Sequence, residues 1–298
     1  MDCRLQPEFT EMSGVEYELL IGGLAGGHSG VEIHKERGNS NKLAGRLLWH
    51  LYLEEVQVGL ISAQGGLADN AIPRETKVCM LVAPEQQESF KAAVTAFEQE
   101  VKTELATKDP GFCIMVKECS AVQKKVIADN ALAVTSAFLN SLPNGVQAMS
   151  ADIDGLVETS LNLGILSINE AGVSASFSVR SSVESSKKAL IEKLMSVVVL
   201  AGGEAEVEGD YPGWSYRVNS PLREKMLTLY KEMYGAEPKV EAIHAGLECG
   251  LLASKIEDLD CVSFGPNMFN IHTTEEKLSI SSTKRVWDYL IALLERKG

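Results

Sequence analysis

The stretch Gly22-Gly23-Leu24-Ala25-Gly26-Gly27-His28-Ser29-Gly30 sets one imidazole and one hydroxyl among five glycines, directly after a strand-like run from Val15 to Ile21. Glycine serves where the backbone must take positive φ or let another group come close. The stretch therefore reads either as a glycine-rich hairpin turn with an exposed histidine or as a site that presents His28. A second histidine, His272, lies in the loop Gly265 to Glu276, after a run that reads as a buried strand. Ligands collect where loops leave the carboxyl ends of strands in open α/β sheets. There an imidazole followed by Glu275 and Glu276 suits a metal ligand or an acid/base group, and a loop histidine fastened by local Thr and Glu is the competing account.

Two further places could bind an anion. Glu241 to Gly250 runs from a strand end into a helix start, so backbone N–H groups near Gly246 could face a terminal carboxylate, with Glu248 either joining that site or complementing the helix dipole. Arg180 ends a strand, where its guanidinium could clasp a carboxylate bidentately or form a plain surface ion pair. Asn70, between Gly65-Gly66 and Pro73, reads from spacing as a turn residue. His34, in a charged segment, reads as solvated, and His50, inside a helical stripe, as a surface or packing histidine. No Gly-x-Ser-x-Gly, P-loop or His-Glu-x-x-His pattern occurs.

The elements that must position these groups follow from periodicity. Val15–Leu24, Gln57–Ala63, Thr76–Val82, Phe112–Glu118, Leu156–Ile168 and Val173–Arg180 read as strands, the last two as a hairpin. Helices are expected from Asn39 or Ser40 with Leu43, Leu47 and Leu51 inward, from Pro84 with Phe90, Val94, Phe97, Val101 and Leu105, and from Lys124 to Leu142. Another has Leu190, Leu194, Val197 and Ala201 along one face. Antiparallel hairpins with helices suggest an α+β layer, one sheet face covered. After about Asp210 the pattern becomes α-β-α-β-α: a helix from Ser220-Pro221 to Gly235, a strand Lys239–Ile243, a short helix Gly246–Ser254, a strand Asp260–Phe264 and a last helix capped at Ser281 or Ser282. Strands buried on both faces need neighbours that these two short ones cannot supply alone.

The chain has 298 residues, 45% of them apolar, and a net charge of −13. That acidity, without a dense Lys/Arg run, argues against nucleic-acid or anionic-membrane partners. Six scattered cysteines, no signal-like N-terminus and no apolar run long enough to span a bilayer point to a soluble cytoplasmic protein with reduced thiols.

Gly26 to His34, Gly38 to Leu43, Asn70 to Glu75, Val157 to Asn162, Tyr211 to Trp214 and Ile243 to Gly250, in this order, resemble the aminoacyl-histidine dipeptidases (Xaa-His dipeptidases, peptidase D). These belong to the metallopeptidase family of the carnosinases and carboxypeptidase G. The resemblance covers essentially the whole chain but only part of a family member. It implies an α+β lid domain that mediates dimerisation, followed by the C-terminal portion of a three-layer α/β zinc-peptidase domain. Residues 1–11 would be a lead-in, 12–210 the lid and 211–298 the catalytic segment, with the first part of the catalytic domain expected before Met1.

The implied reaction is hydrolysis of Xaa-His dipeptides at a site holding two Zn2+ ions. His272 alone matches a position of the ligand set, and the remaining ligands and the general base belong to the expected upstream part. His28 would polarise the scissile carbonyl in the partner subunit's site. Asn70, Thr159 and Arg180 would hold the dipeptide, and Gly246 with its neighbours, among them Glu248, its carboxylate. One imidazole cannot place two metal ions, so rival expectations are a non-catalytic lid dimer that binds peptides, half of a split enzyme, or a truncated product.

Overall fold

In the computed structural model, residues 1–214, 216–241, 248–269 and 276–296 are described. The chain divides into two compact units, one from Met1 to Gly213 and one beginning at Trp214.

The elements of the first unit, in chain order, are β1 (Asp2–Leu5), β2 (Phe9–Gly22), β3 (Gly27–His28), α1 (Ser40–Leu53), β4 (Val58–Gly65), β5 (Ala71–Ile72), β6 (Thr76–Val82), α2 (Gln87–Leu105), β7 (Cys113–Ile127), α3 (Asp129–Ser141), β8 (Gly145–Met149), β9 (Val157–Asn169), β10 (Gly172–Ser181), α4 (Glu184–Leu200) and β11 (Glu204–Glu206). Nine of the strands form an antiparallel sheet in the order β11-β1-β10-β9-β4-β6-β2-β7, with β8 attached to β9. The remaining two, β3 and β5, make a short ribbon of their own.

Alternation decides which side of the sheet is covered. Along β2, Tyr17, Leu19 and Ile21 are fully buried, whereas Glu16 and Glu18 on the other face pair with Lys124 and Lys77. The helical stripes meet the first set in one core containing Leu43, Leu47 and Leu51 of α1, Phe90, Val94, Phe97 and Val101 of α2, Phe138 of α3, and Leu190 and Leu194 of α4. Helices therefore cover one face, as the α+β pattern predicts. Asn39 caps α1 by accepting from the Lys42 N–H. Lys42 in turn stops α3: its ammonium donates to the carbonyls of Leu139 (2.5 Å), Asn140 (3.1 Å) and Leu142 (2.6 Å). Burial pushes that ammonium down to about 8.

Three sequence expectations change here. The residues expected as a lead-in form β1, held between β10 and β11. The helix expected from Lys124 begins at Asp129, because β7 continues to Ile127 as an edge strand whose Lys124 is held by Glu16. The charges that mimic a helical surface are those of a protected sheet edge. β8 was not foreseen; its register against β9 shifts twice, which breaks simple alternation.

The second unit contains α5 (Pro221–Tyr234), α6 (Glu248–Ala253), β12 (Met268–Phe269), β13 (Lys277–Leu278) and α7 (Ile280–Glu295). Its small core joins Met226 and Leu229 of α5 to Tyr289 of α7, whose hydroxyl donates to the Met226 carbonyl at 2.6 Å. Ser220 caps α5, and Asp260 reinforces the cap by accepting from the Ser220 hydroxyl (2.6 Å) and the Leu222 N–H (2.9 Å). The last helix is capped by Ser279 rather than Ser281 or Ser282. Asp260–Phe264 is not a strand, nor is the described part of Lys239–Ile243, because no described strand lies alongside to complete a ladder. No described helix is long and apolar enough to cross a membrane.

Candidate functional site

The β3·β5 ribbon lies against the sheet through Asn162 of β9, a fully buried side chain. Its Nδ2 donates to the carbonyls of Asp69 (2.9 Å) and Ala71 (2.8 Å), while its Oδ1 accepts from Asn39 Nδ2 at 3.1 Å. Ile33, Ile72 and Val157 form a small apolar cluster that holds the same segment. The ribbon pairs His28 with Ala71 and continues through the Ser29 N–H, which donates to the Asn70 carbonyl at 2.8 Å. His28 and Asn70 are thus brought together by local backbone pairing.

The His28 ring is fixed by its own turn. Nδ1 accepts the N–H of Gly30 at 3.0 Å and of Val31 at 3.2 Å. A ring nitrogen that accepts carries no proton, so the neutral imidazole bears its proton on Nε2 and presents a donor there. The His28 N–H donates to Glu32 Oε2 at 3.1 Å. Glu32 also accepts from Lys35 and pairs with Arg37, and Arg37 reaches back to the Gly26 carbonyl. The Lys35 ammonium and then the His28 N–H hold the Glu32 carboxyl well down, to about 2. Gly27 takes φ 146°, and a Cβ there would meet Glu32 Oε2 at 2.7 Å. Both facts explain a glycine at that point.

Arg180 approaches the same turn from the sheet. It lies opposite Ser160 in the β9·β10 register, one step from the Thr159–Ser181 pair. Consecutive positions point to opposite faces, so Arg180 faces away from the helices, on the ribbon side. A Cβ on Gly30 would sit 3.0 Å from His28 Cε1 and 3.3 Å from Arg180 Cζ, which shows how closely imidazole and guanidinium flank this glycine. Burial lowers the Arg180 guanidinium, against the attraction of Asp69. Among the described residues its buried Nε has no hydrogen-bond partner, nor does the hydroxyl of Ser29, which is 2% exposed. Orphaned buried donors of this kind are rare and mark strain, catalysis or a missing ligand.

Thr159 takes a different position. Its hydroxyl is buried, 2.8 Å from Ser181 Oγ and 3.1 Å from Glu158 Oε1, on the face opposite Arg180. It supports the strand pair from behind. Glu248 opens α6 as an exposed residue of the second unit. Gly246 and His272 lie outside the described residues. His34 is exposed, and His50 packs its ring 5.5 Å from Phe97, as read from the sequence.

The two Zn2+ ions that the resemblance implies find no match among the described residues, and His272 lies outside them. Among the described residues no three His, Cys, Asp or Glu side chains form a group able to hold a metal ion. What these residues can do is donate: an oriented Nε2–H and a half-buried guanidinium suit a carbonyl oxygen gaining charge or a carboxylate. The glycine-rich stretch already set the Ser29 hydroxyl beside His28. Sequence reasoning missed Asn162 as the ribbon's anchor, which has no spacing signal because it acts on backbone brought close only by folding.

A family model described as a peptidase dimerisation domain matches residues 21–109. The cytosol non-specific dipeptidase of Escherichia coli (strain K12) is 36% identical over 279 residues, 94% of this chain and 57% of that protein. The crystal structure of aminoacylhistidine dipeptidase from Vibrio alginolyticus superimposes with a TM-score of 0.90 at 34% identity, covering 100% of this chain and 61% of that one. The chain thus spans somewhat over half the length of each of these two relatives.

Proposed function

We propose that the chain, which is similar to dipeptidases over 94% or more of its own length, is a member of the aminoacyl-histidine dipeptidase family and that its site serves hydrolysis of Xaa-His dipeptides. The observation that carries the reading is the convergence on Gly30 of a tautomer-fixed imidazole and a half-buried guanidinium. In this reading His28 Nε2–H donates to the scissile carbonyl oxygen and strengthens its bond as negative charge develops there. One such donor contributes on the order of 100- to 1,000-fold in rate.

Arg180 binds a carboxylate of the peptide, and Asn70, exposed at the ribbon's end, adds a polar contact. Thr159 keeps β9 and β10 in register behind Arg180. Gly246 and Glu248 would meet the terminal carboxylate, and His272 would be a metal ligand. The described donor set does not fit a two-zinc centre, so the roles of the described residues end at binding and charge stabilisation. The relative named as cytosolic favours a cytosolic protein. The dimerisation-domain match favours a homodimer; in this reading His28 serves the partner subunit's site.

A second reading is favoured by the lack of a metal-holding group among the described residues. The chain would then bind peptides without cutting them, alone or joined by a polypeptide that supplies the metal centre. Zinc per mole of protein after dialysis against the metal, measured together with turnover of an Xaa-His dipeptide, separates the two. Near two zinc ions with turnover supports the enzyme. No zinc and no turnover, with dipeptide binding retained, sinks it in favour of the binding module.

A further inference from the structure

Asp109 is 2% exposed and lies past the end of α2, its N–H bonded back to the Leu105 carbonyl at 2.8 Å. Burying a carboxylate is costly unless its oxygens are hydrogen-bonded. Here Oδ1 accepts the Ala25 N–H at 2.7 Å and Oδ2 the Gly38 N–H at 2.6 Å. Ala25 and Gly38 are the entry and exit of the excursion that carries His28, Ser29 and Gly30, and Gly38 directly precedes the Asn39 cap of α1. One side chain therefore closes the base of the loop. Inside it, Glu32 and Arg37 tie the turn a second time, to the His28 N–H and the Gly26 carbonyl.

We propose that Asp109 is a positioning residue for His28: by holding both ends of the 25–38 loop it fixes the turn whose N–H groups select the Nε2–H tautomer. Asp109 touches no substrate and acts only through backbone. The significance of the tautomer for catalysis rests on the function proposed above; the clamp itself does not. Short carboxylate-to-amide bonds with no water access are among the stronger neutral-to-ion hydrogen bonds. An Asp109→Asn amide can accept only one of the two N–H groups, and its NH2 must face the other.

The test is nitrogen-15 NMR of the histidine rings in the full chain, without ligand, in wild type and Asp109→Asn. Wild type is expected to show His28 with one acceptor-type and one protonated ring nitrogen, well separated in shift. In Asp109→Asn the two shifts should move toward each other as tautomers mix, while those of His50 stay put. Unchanged His28 shifts in a folded Asp109→Asn overturn the proposal. Should the variant not fold, amide exchange in wild type decides: Ala25 and Gly38 N–H protected at least 100-fold over free-chain rates support the clamp, and free-chain exchange at both overturns it. Because the ring shifts are read without substrate, a wild type that never turns over a dipeptide sinks the proposed function and leaves this inference standing.

Discussion

Replacing Arg180 by Met separates a binding residue from a structural one. Arg180 is half-buried beside Gly30, its Nε shielded from water and without a hydrogen-bond partner among the described residues, and its attraction to Asp69 is weak because Asp69 is exposed. An unsatisfied buried donor costs about 1–3 kcal/mol, so the fold keeps Arg180 at a loss. Met retains the apolar stem and removes the charge. Stability should therefore stay level or rise, with the melting temperature unchanged or up by about 2–4 °C per kcal/mol regained. Binding moves the other way: a charge-assisted hydrogen bond to a peptide carboxylate contributes about 1.5–3 kcal/mol, so dipeptide affinity should fall about 10- to 150-fold. Differential scanning calorimetry and isothermal titration with an Xaa-His dipeptide read the two effects on one preparation. A melting point lowered by more than about 6 °C with affinity intact would refute the reasoning, for Arg180 would then be holding β10 in place.

Other substitutions test neighbouring parts of the argument. In a preparation that hydrolyses dipeptides, His28→Ala should lower kcat about 100- to 1,000-fold with KM little changed; an equal loss through KM alone would make His28 a binding group. Gly30→Ala puts a methyl 3.0 Å from the His28 ring and 3.3 Å from the Arg180 guanidinium carbon, so one of them must shift. Dipeptide affinity should drop several-fold while the melting point holds, and unaltered affinity would show that the two groups are not used together. Glu32, with its carboxyl held at about 2 rather than the ordinary 4.5, is the more readily protonated in the unfolded chain. Its contribution to stability is therefore complete above about pH 4.5 and lost as pH falls toward 2. Urea midpoints measured from pH 5 to 2.5 should fall less steeply in Glu32→Gln; parallel profiles would contradict this.

The sequence made the covered face of the sheet legible because period-3.6 stripes and alternating runs are both local signals. Phe90, Val94, Phe97 and Val101 fall on the buried side of α2, and Thr76–Val82 appears as read. What escaped was set by partners far along the chain. The second half of β7 carries Lys124 and Lys125 because it is an edge, and only its pairing with β2 reveals it as a strand. β1 is four residues long and acquires its structure from β10 and β11 on either side. The His28 turn was visible through its glycines, whereas Asp109 looked like the ordinary end of a helix. Its bonds to Ala25 and Gly38 span 84 and 71 positions in sequence, beyond any local pattern.

The amide side chains around Asn162 have a consequence in time as well as in space. β9 pairs with β4 at residues 166–168 and with β8 at 157–161, and in the fork between them the Leu163 carbonyl accepts from Asn39 and Asn41 while its N–H donates to Asn144 Oδ1. Asn39 and Asn162 work here as donor and acceptor at once, which an ionised carboxylate cannot do. Asn144 precedes Gly145, an order in which the next backbone nitrogen attacks the amide most readily. Slow deamidation at this junction would insert an isoaspartyl methylene where the two halves of the sheet part. Any such change would fall between β4 and β8, beside the Asn162 side chain that anchors the ribbon.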